Sequence, residues 1–123
     1  MELIINRYKK LNSMQTEFEE LFPYLKLEFY DHFYIEEKEN EMICFFSYDL
    51  PIKSVSKKAE PKVLKIYRQM TTSQLQNAFQ ITFGLSVQVF RKAGNIWIQT
   101  ISADKLTLEE LNQIAQNNNF CSS

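Results

Sequence analysis

The sequence contains very few of the residues that most enzymes and metalloproteins use. Its 123 residues include one histidine, two cysteines and two glycines. A structural zinc site needs about four Cys or His ligands, usually in closely spaced pairs, and His32, Cys44 and Cys121 do not supply them. This scarcity argues against most metal, phosphate-loop and catalytic-triad chemistry. We therefore expect neither a metal nor a cofactor.

The cysteines and the first residues indicate the compartment. Cys44 lies in an apolar run, which is typical of a small buried hydrophobe; a disulfide with Cys121 and a reactive thiol are the alternatives. Residues 1–7 lack the long apolar run of a signal peptide. No stretch approaches the ~18 consecutive apolar residues of a membrane span. We therefore expect a soluble, cytoplasmic protein without membrane contacts.

Composition and charge indicate an ordinary globular chain. Hydrophobic residues make up 45% and charged residues 24% of the sequence, and the net charge is −1. A nearly neutral chain has no overall field that attracts nucleic acid or an acidic membrane. We expect a single domain over residues 1–123. Two prolines and three lysines within residues 49–61 predict a mobile internal loop there.

The first half predicts a helix followed by strands. Apolar residues recur at spacings of three, four or seven from Ile4 to Leu25, and Pro23 ends this helical pattern near Phe22. One long helix and two short ones, the second capped at residues 12–13, both fit the pattern. Residues 25–30 alternate as in a half-buried strand. We expect a solvated acidic loop at residues 31–41 and a strand, or a loop lying over the core, at residues 42–48.

The second half has clearer boundaries. Residues 62–68 predict a strand. Thr71 and Gln74 form a capping-box pair at the start of a helix, and Gly84 is typical of its end. Residues 86–91 and 96–100 alternate in polarity and are joined by residues 92–95, which include Gly94 and Asn95. This combination predicts a β-hairpin.

A second capping box, formed by Thr107 and Glu110, starts the final helix. We expect that helix to end at residues 117–119 and to bury Leu108, Leu111, Ile114 and Ala115. The complete order is α-β-(β)-β-α-β-β-α. It predicts an α+β fold with helices packed on a mainly antiparallel sheet of three to five strands. A ferredoxin-like variant is compatible with the second half.

Three segments resemble a family of small uncharacterised bacterial proteins of the Bacteroidetes type. They are FPYLKLEF at residues 22–29, FGLSVQVFRK-x-GN-x-W at residues 83–97 and TLEE-x-N at residues 107–112. Similar sequences often carry Thr-Asp-Asp-Trp before the final helix, whereas residues 103–106 here are Ala-Asp-Lys-Leu. The family has no established activity. The resemblance therefore implies a shared organisation and no function.

The hairpin carries the candidate interaction residues. Trp97 and Gln99 alternate with Ile96 and Ile98, so the two pairs face opposite sides of the sheet. In one arrangement the isoleucines face the helices, and the outward residues are Phe90, Trp97, Gln88 and Gln99. In the other, Trp97 and Phe90 are buried and the aliphatic residues are exposed. Either arrangement leaves bulky apolar groups that the N-terminal helix or another subunit must cover.

Other candidate sites have weaker support. Asp31 and His32 suggest a general-base pair, but neighbours in sequence usually point in opposite directions, and a nucleophile is missing. The acidic residues after them lack the glycine and the alternating ligands of a calcium loop. Residues 53–68 contain six basic residues and one acidic residue. The candidates for binding nucleic acid there, with Tyr67 or Trp97 as stacking partners, are Lys57, Lys58, Lys62, Lys65 and Arg68.

We therefore expect a non-catalytic module that binds a protein partner or self-associates, for example as a homodimer, through a sheet face or a sheet edge. The surplus of apolar sheet surface and the shortage of catalytic residues both favour this interpretation. A small enzyme using Asp31 and His32 is one alternative. A nucleic-acid accessory protein using residues 53–68 is the other, ranked below protein binding.

Overall fold

A computed structural model of the chain describes residues 3–6, 8–35, 40–45, 50–56, 63–100 and 105–121. Six strands and four helices make up this part of the chain, which confirms the α+β class. Their bounds, in chain order, are β1 Leu3–Asn6, α1 Leu11–Leu21, β2 Leu25–Ile35, β3 Asn40–Phe45, α2 Ile52–Val55, β4 Val63–Ile66, α3 Thr72–Phe83, β5 Ser86–Ala93, β6 Ile96–Gln99 and α4 Leu108–Cys121.

The described strands form two antiparallel sheets. One has two strands, β1 and β4, and the other has four strands in the order β3-β2-β5-β6. The four-stranded sheet confirms the predicted antiparallel sheet and the predicted hairpin of β5 and β6. β4 and β5, which flank α3, lie in different sheets. The described strands therefore do not form the split β-α-β arrangement of a ferredoxin-like fold.

One apolar core joins both sheets to the long helices. It contains Val87 and Val89 from β5, Leu64 and Ile66 from β4, and residues of α1, α3 and α4. Aromatic rings pack at its centre: the ring centroids of Phe29 and Phe79 lie 5.7 Å apart, in an edge-on arrangement. Burial of each such side chain stabilises the fold by about 1.5–3 kcal/mol. The largest of the fully buried side chains are Phe18, Phe22, Phe29, Phe79, Phe83, Leu11, Met14, Leu25, Leu27, Ile52 and Ile66.

Both predicted capping boxes are present. The Thr71 hydroxyl accepts from the Gln74 amide at 3.1 Å, and the Gln74 side chain accepts from the Thr71 amide at 3.0 Å. Thr107 and Glu110 make the same reciprocal pair. The two caps also contact each other through a β-bridge between Thr71 and Thr107. The helix before Gly84 ends as predicted, with Gly84 in the left-handed conformation at φ 62°.

The predicted start of the first helix is wrong. Residues that include Ile4 and Ile5 form β1, and α1 begins at Leu11. β1 pairs with β4, with Ile4 opposite Lys65 and Ile5 opposite Leu64. β-branched residues favour a strand when a partner strand is present. The helical spacing from Ile4 to Leu11 was therefore coincidental, since the partner lies about sixty residues away in sequence.

The prediction of a solvated loop at residues 31–41 is wrong over residues 31–35 and 40–41, whereas residues 36–39 lie outside the described residues. β2 continues to Ile35 and pairs with β3, from Tyr30 opposite Phe45 to Ile35 opposite Asn40. The strand prediction for residues 42–48 is confirmed over residues 42–45, and residues 46–48 lie outside the described residues. The prediction took a high density of charged residues as a sign of a loop. The strands of a hairpin also accept polar side chains at positions that face solvent, because the hairpin is held by backbone pairing.

Part of the predicted internal loop is a one-turn helix. α2 occupies Ile52–Val55, and Ile52 is fully buried. Backbone bonds join this segment to the start of α1, from Leu11 N to Leu50 O at 2.9 Å and from Ile52 N to Lys9 O at 2.9 Å. The Ser56 hydroxyl donates to the Phe83 carbonyl at 2.6 Å. Residues 57–62 lie outside the described part of the chain.

The final helix is longer than predicted. It runs to Cys121, beyond the expected end at residues 117–119. Asparagine lowers helix stability only modestly, and neither glycine nor proline follows to end the helix. Leu108, Leu111 and Ala115 are buried as predicted, whereas Ile114 is 43% exposed. The buried stripe therefore excludes Ile114.

We expect Thr71→Ala to lower the free energy of unfolding by about 1 kcal/mol, because it leaves the Gln74 amide without its cap. Urea denaturation measures the change. Ser73→Ala, at an exposed position in the first turn of the same helix, is the matched control and should cost less than about 0.5 kcal/mol. Equal losses in the two variants would contradict a specific capping contribution.

Candidate functional site

The two hairpins of the four-stranded sheet are staggered along the strands. β2 pairs with β3 through residues 30–35 and with β5 through residues 25–30. β5 pairs with β6 through residues 90–93. The hairpin of β5 and β6 therefore extends past the point where Leu25 pairs with Arg91. All four residues of β6 are exposed.

The register of the sheet separates a core face from an outer face. Val87 and Val89 are buried in the core, opposite Phe29 and Leu27 of β2. Because side chains alternate along a strand, the residues between them lie on the other side of the sheet. We call this side the outer face; its described members are Lys26, Glu28, Tyr30, Ser86, Gln88, Phe90, Lys92, Trp97 and Gln99.

All four predicted interaction residues lie on the outer face. Phe90 is directly opposite Gln99 of β6 and Lys26 of β2, and Gln88 is opposite Glu28. Trp97 is opposite Lys92. The outward set of the first predicted arrangement is therefore present, although Ile96 and Ile98 on the other face are exposed. Phe90 and Gln88 are half-buried, and Trp97 is 37% exposed.

The helix that was expected to cover this surface lies elsewhere. Leu11, Met14 and Phe18 of α1 are buried in the core cluster that contains Val87 and Val89. α1 therefore packs on the core face. The exposed part of Trp97 is not covered by α1.

Lys26 connects the charged and aromatic parts of the outer face. Its ammonium group lies 3.0 Å from the Glu28 carboxylate and 5.9 Å from the centre of the Trp97 ring. A cation over an indole ring at this distance is attracted by the negative face of the ring. The contact stabilises this position of the Trp97 ring, and part of the ring surface remains in solvent. Sequence reasoning missed Lys26, because the contact depends on the register of β2 against β5.

Ile96 and Ile98 of β6 lie on the same face of the sheet as the core residues, but past the edge of the core. Ile98 is opposite Arg91, and Ile96 is opposite Ala93. Ile96 is 61% exposed and Ile98 is 36% exposed. The prediction expected these residues to pack against helices. The hairpin extends too far for that, so both faces of β6 present apolar side chains to solvent.

A relay of hydrogen bonds fixes the base of the hairpin. Asn112 of α4 accepts from the Tyr24 amide at 2.8 Å, and the Tyr24 carbonyl accepts from the Lys92 amide at 2.9 Å. On the other strand, the Thr100 amide and hydroxyl both donate to the Val89 carbonyl. These bonds anchor the base of the hairpin to the rest of the protein, and the turn at residues 94–95 extends beyond that base.

Two glutamine side chains occupy the sheet edges that the staggered hairpins leave open. Gln15 of α1 donates to the Leu27 carbonyl at 2.6 Å, on the stretch of β2 that precedes its pairing with β3. Gln76 of α3 donates to the Val87 carbonyl at 3.3 Å, on the stretch of β5 that precedes its pairing with β6. These amides satisfy carbonyls that another strand would otherwise bind.

The other predicted sites are only partly described. The backbone places Asp31 opposite Cys44 and His32 opposite Ile43, within the β2–β3 hairpin. Their side chains, and residues 36–39 of the acidic stretch, lie outside the described part. In the basic segment, the Arg68 guanidinium lies 3.9 Å from Glu109 and 5.7 Å from the Phe22 ring centre.

Of the remaining basic candidates, one is exposed and three lie outside the described residues. Lys65 is exposed on β4. Lys57, Lys58 and Lys62 lie outside the described residues. Tyr67 follows β4 in the two-stranded sheet, whereas Trp97 belongs to the four-stranded sheet. The two proposed stacking partners therefore stand on different sheets.

The chain matches no protein-family model, no curated protein and no solved structure. The resemblance to small Bacteroidetes-type proteins therefore stays a prediction. Among the described residues, no group of three or more His, Cys, Asp or Glu side chains is placed to hold a metal ion. None of the described helices combines the length and the apolarity that a membrane crossing requires.

We expect Gln15→Met to lower the free energy of unfolding by about 1–3 kcal/mol, because it leaves the buried Leu27 carbonyl without its donor. Thermal or urea denaturation checks the change. The control is Gln113→Met on the exposed face of α4, which removes only a solvent-exposed bond to Asn117 and should cost less than about 0.5 kcal/mol. An unchanged Gln15→Met variant would show that water replaces the amide.

Gly94 forms the two-residue turn of the hairpin with Asn95 and has a φ of 65°. A Cβ there meets no atom within 4 Å, so only backbone strain opposes substitution. We expect Gly94→Val to lower the free energy of unfolding by roughly 1–2 kcal/mol, and Gly94→Asn to cost much less, because asparagine adopts the left-handed conformation more readily. Urea denaturation of both variants compares them, and equal losses would contradict the conformational explanation.

Proposed function

We propose that the protein is a non-catalytic interaction module that binds a protein partner, or a second copy of itself, through the β5–β6 hairpin. The observation that carries this proposal is the exposure of Ile96, Trp97 and Ile98 together on the terminal strand of the four-stranded sheet. Contiguous exposed apolar residues are typical of interaction surfaces, and tryptophan is enriched at their energetic centres.

The preorganisation of this surface supports the same proposal. Lys26 contacts the Trp97 ring, and the Tyr24–Lys92 bond anchors the hairpin base. A surface that is ordered before binding loses less conformational entropy when a partner arrives. The half-buried Phe90 and the amides of Gln88 and Gln99 supply an apolar centre with polar groups beside it, as is common in protein interfaces.

The two alternative functions receive less support from the described residues. A shallow depression lined by Tyr67, Gln69, Met70 and Gln74 carries no carboxylate, imidazole or thiol for catalysis. The Arg68 guanidinium of the basic segment already contacts Glu109 and Phe22, which reduces its availability to phosphates. We therefore favour protein binding over both.

Light scattering and photo-crosslinking in the source cells test the proposal together. We replace Gln99 with a photoreactive amino acid and use Ile81, an apolar position on α3 that is 60% exposed, as the matched control. We expect either a dimer or a discrete crosslinked partner through position 99, and neither through position 81. A monomer at every concentration, without crosslinks at position 99, would refute the proposal.

Trp97→Ala separates binding from folding in the same assay. Because Trp97 is partly exposed and lies outside the core, we expect this variant to lose binding at a cost of about 1 kcal/mol or less in unfolding free energy. Phe79→Ala, in the core, should cost about 3–5 kcal/mol. Comparable destabilisation in the two variants would indicate that Trp97 has a structural role instead.

A further inference from the structure

We propose that β6 binds an extended segment of a partner protein as an added strand, and that this segment alternates β-branched or aromatic residues with carboxylates. The proposal rests on the proposed function and specifies its mode and the chemistry of its partner. In this mode main-chain hydrogen bonds supply affinity, and side chains on the two faces of the added strand supply specificity.

The hydrogen-bond pattern identifies the free backbone groups of β6. The Thr100 amide donates to the Val89 carbonyl, so this pair is hydrogen-bonded. Because hydrogen-bonded pairs alternate along an antiparallel ladder, Ile98 and Ile96 also direct their amides and carbonyls toward β5. The amides and carbonyls of Trp97 and Gln99 consequently point away from the sheet. In the described part of the chain, no strand pairs with that edge.

The edge of β6 also lacks the protection found elsewhere in the sheet. Gln15 and Gln76 occupy the open stretches of β2 and β5, whereas no described side chain is bonded to the outward backbone groups of β6. Residues 95–100 contain no charged residue and no proline, which are the usual means of blocking an edge strand. An added strand would place alternate side chains against Ile96 and Ile98 on one face and against Trp97 on the other.

Charge favours an acidic segment. Residues 86–100 carry Arg91 and Lys92 and no acidic residue. Arg91 is half-buried beside Ile98 on the same face and has no ion-pair partner within the described residues. An added strand lies about 10 Å from β5, at two strand spacings of about 4.8 Å. A glutamate on the Arg91 face of that strand and the long Arg91 side chain together span this distance. The β-branched or aromatic residues between the glutamates then lie on the Trp97 face.

The exposed area argues against a second copy as the occupant. Ile96, Trp97 and Ile98 are 61%, 37% and 36% exposed. With side-chain areas of about 150–250 Å², they offer roughly 250 Å² per copy. Two copies joined through β6 would bury roughly 500 Å², well below the ~1,200 Å² of a stable interface between folded proteins. Joining them would also bring Arg91 and Lys92 of both copies into one continuous sheet.

A capped seven-residue peptide that alternates valine and glutamate tests the proposal. Trp97 is the single tryptophan, so its fluorescence reports binding at the site directly. We expect saturable binding, a blue-shifted Trp97 emission, and slower hydrogen exchange at the Trp97 and Gln99 amides but not at those of Ile96 and Ile98. Peptides with N-methylated alternate residues, or with lysine in place of glutamate, should bind at least tenfold more weakly.

Two substitutions of Gln99 distinguish the contribution of its backbone amide to peptide binding from that of its side chain. Gln99→Pro removes an outward amide that β5 does not use, and should abolish peptide binding while the Trp97 emission of the free protein stays unchanged. Gln99→Ala retains the amide and should bind normally. If Gln99→Pro disturbs the hairpin, the N-methylated peptides still test the backbone bonds on the unaltered protein.

Three outcomes overturn the proposal. They are absence of saturable binding by the valine–glutamate peptide, binding that N-methylation does not weaken, and a homodimer whose formation protects the Trp97 and Gln99 amides, which would make a second copy the occupant. If crosslinking through position 99 succeeds while the peptide fails, the interaction function stands and strand addition is excluded. If both fail and the protein is a monomer at every concentration, the interaction function itself is refuted.

Discussion

The antiparallel pairing of β2 with β5 joins the two halves of the chain, and its register determines which side chains reach solvent. Leu27 opposite Val89 and Phe29 opposite Val87 direct four apolar side chains into one core. A shift of one residue would exchange the two faces and direct Lys26 and Glu28 into the apolar core instead. The outer face, the Lys26–Trp97 contact and the direction of the hairpin all follow from this register.

The stagger of the two hairpins creates the sheet edges, and the protein treats these edges differently. Helices α1 and α3 each contribute a glutamine that binds an open carbonyl, at Leu27 and at Val87. Such bonds prevent unpaired backbone from pairing with another chain. β6 extends beyond the reach of the helices, and its apolar side chains are exposed on both faces. The open edges of β2 and β5 are therefore bound by helix side chains, whereas β6 is exposed. This difference between the edges follows from how the helices pack, and it is the basis of the proposed interaction function.

Local signals in the sequence were sufficient where short-range chemistry determines structure. The capping boxes at Thr71 and Thr107, the glycine end at Gly84 and the hairpin turn at Gly94 each depend on residues within a few positions of one another, and the structure contains all of them. The predictions for residues 3–6, 31–35 and 40–41 were wrong because their strands depend on distant partners or on a hairpin whose charged composition resembles a loop.

The sequence alone determined the α+β class, the alternation that places Phe90, Trp97, Gln88 and Gln99 on one face, and the shortage of catalytic residue types. Periodicity and composition are local properties, so they are readable from one chain. Tertiary structure alone decided which face is outward, that α1 packs on the core face, and that β6 is the last of the described strands in its sheet, with an edge that no described glutamine occupies. These features depend on strand order and on where the helices end, which arise only when segments distant in sequence pack together.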